Sequence, residues 1–437
     1  MQSQVATERT RSAAGWPLYV LFLGYPLWWA LGLNAFLWTI VGAVTLGVLA
    51  LRKGLRAPRG FWIWGLFLAW VLLSSTQLDS QERWMAFGYR ASAYLSATIL
   101  FLYIFNTSKD RLPTGRILTI LGVFWMMVVI GGYLGMMFPG VGWHSPMERF
   151  LPDRLLDNEL VRQLFRPGFA DASEFLGFYQ PRPAAPFTWA NEWGANLAIL
   201  TPIVIATWAT KRSRVWNGLT KLLLIAAVVP MIGSLNRGLW LSLGVGIVYG
   251  AVRLAFGGSV RALASTLALV AVASALIYFT PLGSVGAQRI ATPHSNDTRS
   301  ALYEEATERA LERPLTGWGG PRASLKNPNL PSVGTHGQLW LVLVSQGLPG
   351  AALFVGWYVF VLMRSRRGVP GYGIWLHVVL VVACIQLPFY EHLPVHIQTT
   401  MVVSAVILRE LVGRRSVLAG TTVEQRLERR APAPVTV

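Results

Sequence analysis

The sequence predicts an all-α integral membrane protein of about twelve transmembrane helices with two long external loops, on three observations. The chain is 53% hydrophobic and 13% charged, with a mean hydropathy of +0.46, whereas soluble domains carry about 25% charged residues. Its apolar residues gather into windows near the length of about 20 residues that a spanning helix requires. Its cations concentrate in alternate connections between those windows. A soluble enzyme, a disordered chain and a one-helix anchor are excluded. A net charge of +18 would point to nucleic acid in a soluble protein, but here the cations mark topology, and no nucleic-acid partner is expected.

The windows fall at 16–33, 35–51, 61–78, 84–105, 114–137, 190–209, 217–233, 238–255, 260–280, 337–362, 371–388 and 394–411. Arg9 and Arg11 precede the first, which is longer than a signal-peptide core and is followed by no small-residue cleavage pattern, so it reads as a retained span. The even-numbered connections hold Arg52, Lys53, Arg56 and Arg59, then Lys109, Arg111 and Arg116, then Lys211, Arg212 and Arg214, then Arg253 and Arg261, then Arg364, Arg366 and Arg367, against Asp110 alone. The short connections on the other side hold only Arg83 and Arg237 as cations. This bias puts the first set and both termini in the cytoplasm, and the loops 139–189 and 281–336 outside. The polar stretch 414–437 reads as a disordered cytoplasmic tail, and residues 1–437 as one polytopic membrane domain. The single cysteine, Cys384, lies in an apolar run and reads as a packing residue.

In the first external loop, Phe165-Arg166-Pro167-Gly168 and Pro181-Arg182-Pro183 force extended or turning backbone. In the second, Asp297 to Arg313 reads as a helix. Leu302, Ala306, Arg309 or Ala310 and Arg313 recur at helical spacing, Asn296 or Asp297 can cap it, and Pro314 stops it. Glu304, Glu305, Glu308 and Glu312 read as its solvated face, paired with Arg309 and Arg313. Gly317-Trp318-Gly319-Gly320-Pro321 then demands a tight turn.

Ionisable groups at external span ends are the place to look for function, because they are costly at membrane depth. Arg182 lies in the run from Arg182 to Gly194 that leads into the sixth window, Arg237 in the short turn Ser234-Leu235-Asn236-Arg237-Gly238, and His336 in Gly334-Thr335-His336-Gly337-Gln338. Each has a plainer reading: a span-end arginine snorkels, Arg182 can form a loop salt bridge, and a boundary histidine can serve as an interfacial hydrogen bonder. Arg90, more than a turn into the fourth window, and Glu192 are candidates for the site or its support, and Arg289 for holding substrate. His294, Glu391 and His392 are expected outside, and His377 toward the cytoplasmic half as a packing residue. Asp157-Asn158-Glu159 has the spacing of a metal-binding acid pair but lacks a sugar-nucleotide fold around it, so no metal and no cofactor are expected.

These motifs, in this order within a polytopic chain, resemble the O-antigen ligase and polymerase superfamily. The resemblance rests on the Arg182 to Gly194 run, Asn236-Arg237-Gly238, Ala310-Leu311-Glu312-Arg313-Pro314-Leu315-Thr316-Gly317-Trp318-Gly319, and His336 followed by Ser345-Gln346-Gly347-Leu348-Pro349-Gly350, with Gly24-Tyr25-Pro26-Leu27-Trp28-Trp29 in the first window. It implies an inverting, metal-independent transferase with a C-type membrane glycosyltransferase-like fold, in the bacterial cytoplasmic (inner) membrane with an external, periplasmic active site. The donor would be a polyprenyl diphosphate-linked glycan, undecaprenyl diphosphate being the expected carrier, and the acceptor a glycan or glycolipid hydroxyl. It also implies an essential histidine at His336 and diphosphate-binding arginines at Arg182 and Arg237. Gly337 stands where Asn is frequent in the family, and Asn236 where Ser is frequent.

Elementary chemistry agrees. Breaking a glycosyl diphosphate bond leaves negative charge on the diphosphate, which permanently charged, bidentate guanidinium groups stabilise. The incoming hydroxyl must lose a proton, and a histidine within reach is a suitable base. The alternative is a transporter or flippase of lipid-linked glycans, but such proteins place polar sites near the midplane in repeated halves. This chain shows its polar residues at one outer rim and no such repeat.

Overall fold

The computed structural model describes residues 14–157, 159–171, 181–210, 213–260, 264, 267, 271, 294–327, 330–366 and 372–428. Among them, six helices are long and apolar enough to cross a membrane: Thr114–Met137, Ala190–Thr210, Arg214–Gly233, Arg237–Phe256, Gln338–Ser365 and Val395–Gly413. Asn34–Ala50, Phe61–Gln77 and Gly373–Gln386 are shorter apolar helices. Three of the expected twelve windows differ for identifiable reasons. The first is broken, with a π-helical turn Tyr19–Leu23 between Trp16–Leu18 and Tyr25–Ala30. The fourth is the helix Gln81–Phe105, whose early turns carry Glu82, Arg83 and Arg90 and dilute its hydropathy. The ninth, 260–280, lies mostly outside the described residues, as does Arg289.

In chain order the helices used below are α1 (Asn34–Ala50), α2 (Phe61–Ser74), α3 (Gln81–Phe105), α4 (Thr114–Met137), α5 (Ala190–Thr210), α6 (Arg214–Ala226), α7 (Arg237–Phe256), α8 (His294–Glu312), α9 (Gln338–Ser365), α10 (Gly373–Gln386) and α11 (Val395–Glu428). Their starts follow capping chemistry. The side chains of Ser80, Ser213 and Asn236 accept from the backbone N–H groups of Arg83, Trp216 and Leu239, satisfying otherwise orphaned donors. Helix α11 stays helical through Glu428, into the stretch from 414 that the sequence reads as a disordered tail.

Helix α5 is the axis of the bundle, buried along most of its length and packed against α4, α7 and α10. On the other side, α3 lies between α1 and α11, and α2 lies against α9. Trp64, Phe67, Tyr94, Phe354 and Trp357 join α2, α3 and α9 through edge-on and tilted ring contacts, a geometry the aromatic quadrupole favours. Outward side chains such as Ile40, Leu72, Ile130, Leu222, Leu241 and Val359 are exposed and apolar. In a bilayer they face lipid.

The two loops cap one end. In the first, β1 (Ala170–Asp171) pairs antiparallel with β2 (Arg182–Pro183), setting Asp171 opposite Arg182. In the second, α8 begins three residues before its expected start and docks on α9 through Leu302, Ala306, Val333 and Val344. One expectation is corrected. Glu305 is 2% exposed rather than solvated, because the chain after Arg322 folds back over α8. Its carboxylate accepts from Ser324 Oγ at 2.5 Å and from the Leu325 amide at 2.8 Å. Glu304 and Glu308 stay at the surface and pair with Lys326.

Candidate functional site

The site gathers where α5, α7, α8 and α9 begin. Arg237 opens α7 after a sharp turn in which Leu235 takes a left-handed φ of 53°. Asn236 locks that turn. Its Oδ1 caps Leu239 N and also accepts from the Tyr390 hydroxyl, while its Nδ2 donates to the Ala190 carbonyl at 3.3 Å. A serine there offers no amide donor to reach Ala190 while capping. The departure from the family pattern noted in the sequence therefore ties three elements together: the start of α5, the start of α7 and the connection between α10 and α11.

Arg182 is 4% exposed. Its Nη2 donates to Asp171 Oδ2 at 2.9 Å, and the same oxygen accepts from Ala190 N at the first residue of α5. The loop salt bridge expected as its plainer role is therefore present, while Arg182 Nε is buried without a hydrogen-bond partner. Arg182 also lies close enough to Tyr390 for its charge to act on the phenol.

His336 precedes α9, and its tautomer follows from a hydrogen-bond chain. The Thr335 hydroxyl donates to the Ser332 carbonyl at 2.7 Å, so its oxygen accepts from His336 Nδ1–H at 3.1 Å. The lone pair then sits on Nε2, the arrangement a base requires. Behind His336, Gly337 adopts a φ of 142°, and a Cβ there would lie 2.5 Å from the Pro388 carbonyl oxygen. Burial, with the positive charge of Arg299 added, lowers the His336 pKa to about 4.

Arg299 is a residue that the sequence motifs do not single out. It stands in the early turns of α8, where its charge acts on His336, Arg237, Tyr303 and Tyr390. A signal existed: Arg299 continues the Leu302, Ala306, Ala310 spacing toward the start of the helix, on its docked face. One turn on, Tyr303 stacks on Trp340 with centroids 4.6 Å apart. The Tyr303 hydroxyl and Trp340 Nε1 both donate to the Pro388 carbonyl, at 2.9 and 3.1 Å.

Glu192 and Arg90 are coupled electrostatically through Glu391. Glu391 lies within electrostatic reach of both, and Tyr89 borders all three. Burial raises the Glu391 carboxyl to about 7, with Arg90 pulling the other way. His392, next to Glu391, is buried: its amide donates to Gln338 Oε1 at 2.9 Å, and its ring stacks on His396. His377 is a packing residue as expected, bridging Ser365 and Tyr249 at 2.7 and 2.9 Å.

The glycine-rich motifs after α8 and within α9 interlock. Trp318 N donates to Val344 O and Gly319 N to Ser345 O, each at 2.8 Å, and Leu348 N donates to Pro314 O at 2.8 Å. Trp70 Nε1 bridges Leu315 O and Gln346 O at 3.0 Å. Gly317 and Gly347, with φ of 64° and 68°, approach so closely that a Cβ on either would sit 2.6 Å from the other segment's backbone. Gly347 also breaks α9. Arg313 and Arg322 cover the Trp318 ring at 4.1 and 4.4 Å.

Residues 222–355 match the O-antigen ligase family. The sequence resemblance to the O-antigen ligase superfamily is thereby supported over the stretch that holds Arg237, Arg299, the interlocked glycine motifs and His336. Arg182, Arg90, Glu192 and Glu391 lie outside the O-antigen ligase match and reach the site only through the fold. No curated protein matches the chain.

Proposed function

We propose that this chain is an inverting, metal-independent glycosyltransferase of O-antigen ligase type, moving a glycan from a polyprenyl diphosphate carrier to an acceptor hydroxyl at the external face of the bacterial inner membrane. One observation carries the reading: His336, with its lone pair on Nε2, lies within electrostatic reach of Arg299, whose charge also reaches Arg237, at converging helix starts within the O-antigen ligase match. The acceptor hydroxyl gives its proton to His336 Nε2 as its oxygen forms the new bond to the anomeric carbon. The bond from that carbon to the diphosphate oxygen breaks, and the diphosphate departs with the electron pair. In-line displacement inverts the anomeric configuration. Arg237 and the unpartnered Nε of Arg182 stabilise the departing charge in a half-dry site, where a fixed guanidinium counts for more than in water. Arg289 also contributes to substrate holding, while Arg90 and Glu192, coupled through Glu391, support the floor of the site.

The test uses protein in nanodiscs with a polyprenyl diphosphate glycan pool, following free polyprenyl diphosphate by mass spectrometry with EDTA present. Release that survives EDTA and disappears in His336→Ala is expected, and a product ladder or a single shift separates polymerase from ligase. Wild-type turnover in His336→Ala removes the base. Movement of the lipid-linked glycan between leaflets without carrier release replaces the enzyme with a transporter. Arg237→Lys keeps charge but loses the bidentate fork, so its kcat should fall about tenfold or more.

A further inference from the structure

Resting on that transferase reading, we infer that Arg90 and Glu391, braced by Gln338, form the seat of the acceptor sugar. The brace stands at the start of α9. Gln338 is buried, two residues after His336. Its backbone N–H donates to the Tyr390 carbonyl at 2.7 Å, its Oε1 accepts from the His392 amide at 2.9 Å, and its Nε2 donates to the Tyr94 hydroxyl at 2.7 Å. Glu391 is therefore held between two residues that one glutamine grips. Arg90, one turn before Tyr94 on α3, shares the helix face of the third contact.

This frame leaves the two charged side chains open. Arg90 and Glu391 are half-buried, although Tyr94, Gln338, Tyr390 and His392 around them are buried. They lie within electrostatic reach of each other, yet among the described residues neither side chain makes a hydrogen bond or a salt bridge. Opposite charges so deeply set are costly unless they are paired and hydrogen-bonded. A ligand that bridges them must donate to a carboxylate and accept from a guanidinium. A sugar hydroxyl does both. Tyr89 and Glu192 border the same place and add further hydrogen-bonding groups. Gly320 in the second loop admits the guanidinium, since a Cβ there would lie 2.7 Å from Arg90 Nη2. The residue before Glu391 divides the site. Tyr390 reaches the start of α7, where its hydroxyl bonds Asn236 next to Arg237, whereas Glu391 is coupled to Arg90 on α3. The carboxylates of Glu391 and Glu192 oppose a diphosphate on their side. The donor head group thus belongs with Arg237, and the acceptor sugar with Arg90 and Glu391.

The experiment records saturation-transfer NMR of the methyl glycosides of glucose, galactose, mannose, rhamnose and N-acetylglucosamine against full-length protein in nanodiscs. At least one should bind the parent, and Glu391→Gln should raise its Kd about tenfold, the scale of one lost charge-assisted bond. Gly320→Ala keeps every charge and displaces only the flexible tip of Arg90, so it should weaken the glycoside too, while Arg149→Gln, an exposed loop control, should not. Farnesyl diphosphate affinity, measured by calorimetry in the same variants, should stay at the parent value. With the lipid-linked glycan pool present, the bound methyl glycoside should gain the mass of the donor glycan. No glycoside signal in the parent, or one indifferent to Glu391→Gln and Gly320→Ala, overturns the seat. Recovery of the glycoside unchanged, with carrier release inhibited, overturns the acceptor role and gives the seat to the donor sugar. Loss of farnesyl diphosphate together with the glycoside in Glu391→Gln also overturns it, as a general collapse of the site. The transferase reading fails separately, when the wild type releases no carrier whatever the glycosides do.

Discussion

The protonation of His336 links the site's geometry to a measurable rate. Burial removes the water that would solvate an imidazolium, and Arg299 opposes a second positive charge, so His336 titrates at about 4 instead of 6.5. At pH 5.5 about 97% of such histidines keep a free Nε2, against about 9% of ordinary ones. The acid limb of kcat/KM, which reports the free enzyme, should therefore lie near 4. Bound diphosphate sets negative charge beside the ring and raises its pKa, so the acid limb of kcat should lie at higher pH than that of kcat/KM. Arg299→Gln removes the smaller of the two causes and should move the kcat/KM limb up by about one pH unit or less. Stability follows the same shift. Between about 6.5 and 4 the unfolded histidine binds a proton that the folded one does not, so stability is unaffected above 6.5 and falls as pH drops through that window. The assay is carrier release in nanodiscs from pH 4 to 8. A kcat/KM limb at 6.5, or coincident limbs for kcat and kcat/KM, refutes the reasoning.

Two further outcomes probe the frame that holds the site. Gly317→Ala puts a Cβ 2.6 Å from the Gly347 amide at a φ of 64°. It should cost about 2 kcal/mol or more, read as a lower Tm and as reduced transfer from a shifted His336; an unchanged Tm means the interlock yields freely. Glu305→Ala removes the acceptor for Ser324 Oγ and Leu325 N and should cost about 2–4 kcal/mol. Amide exchange should quicken in 322–327, and uniform protection there would show that Glu305 does not hold the segment.

Part of the site is legible residue by residue. His336 and Arg237 stand in motifs at span ends, where an ionisable side chain needs a reason, and the turn chemistry of Gly317 to Pro321 is visible in the glycines themselves. The Pro181-Arg182-Pro183 motif singles out Arg182, but not its partner. Asp171 becomes its neighbour only because two residues on each side pair as strands. The inward turn of Glu305 was misread, because its helical spacing matches that of Glu304 and Glu308 closely enough to share a surface. What separates it is a segment from Ser324 onward that folds over it.

By itself the sequence determined a mostly helical chain with apolar helices long enough to cross a membrane, the windows that become most of its helices, the helical second loop and the motifs that gather at one end. Those are properties of local sums: hydropathy over about 20 residues, spacing over a turn or two, and the fixed chemistry of Gly, Pro and His. Only the tertiary structure decided that Arg299 comes within electrostatic reach of His336, that Glu391 comes within reach of Arg90, and that Gly317 lies against Gly347. Each depends on how separate helix ends are brought together, through contacts between residues distant in the chain.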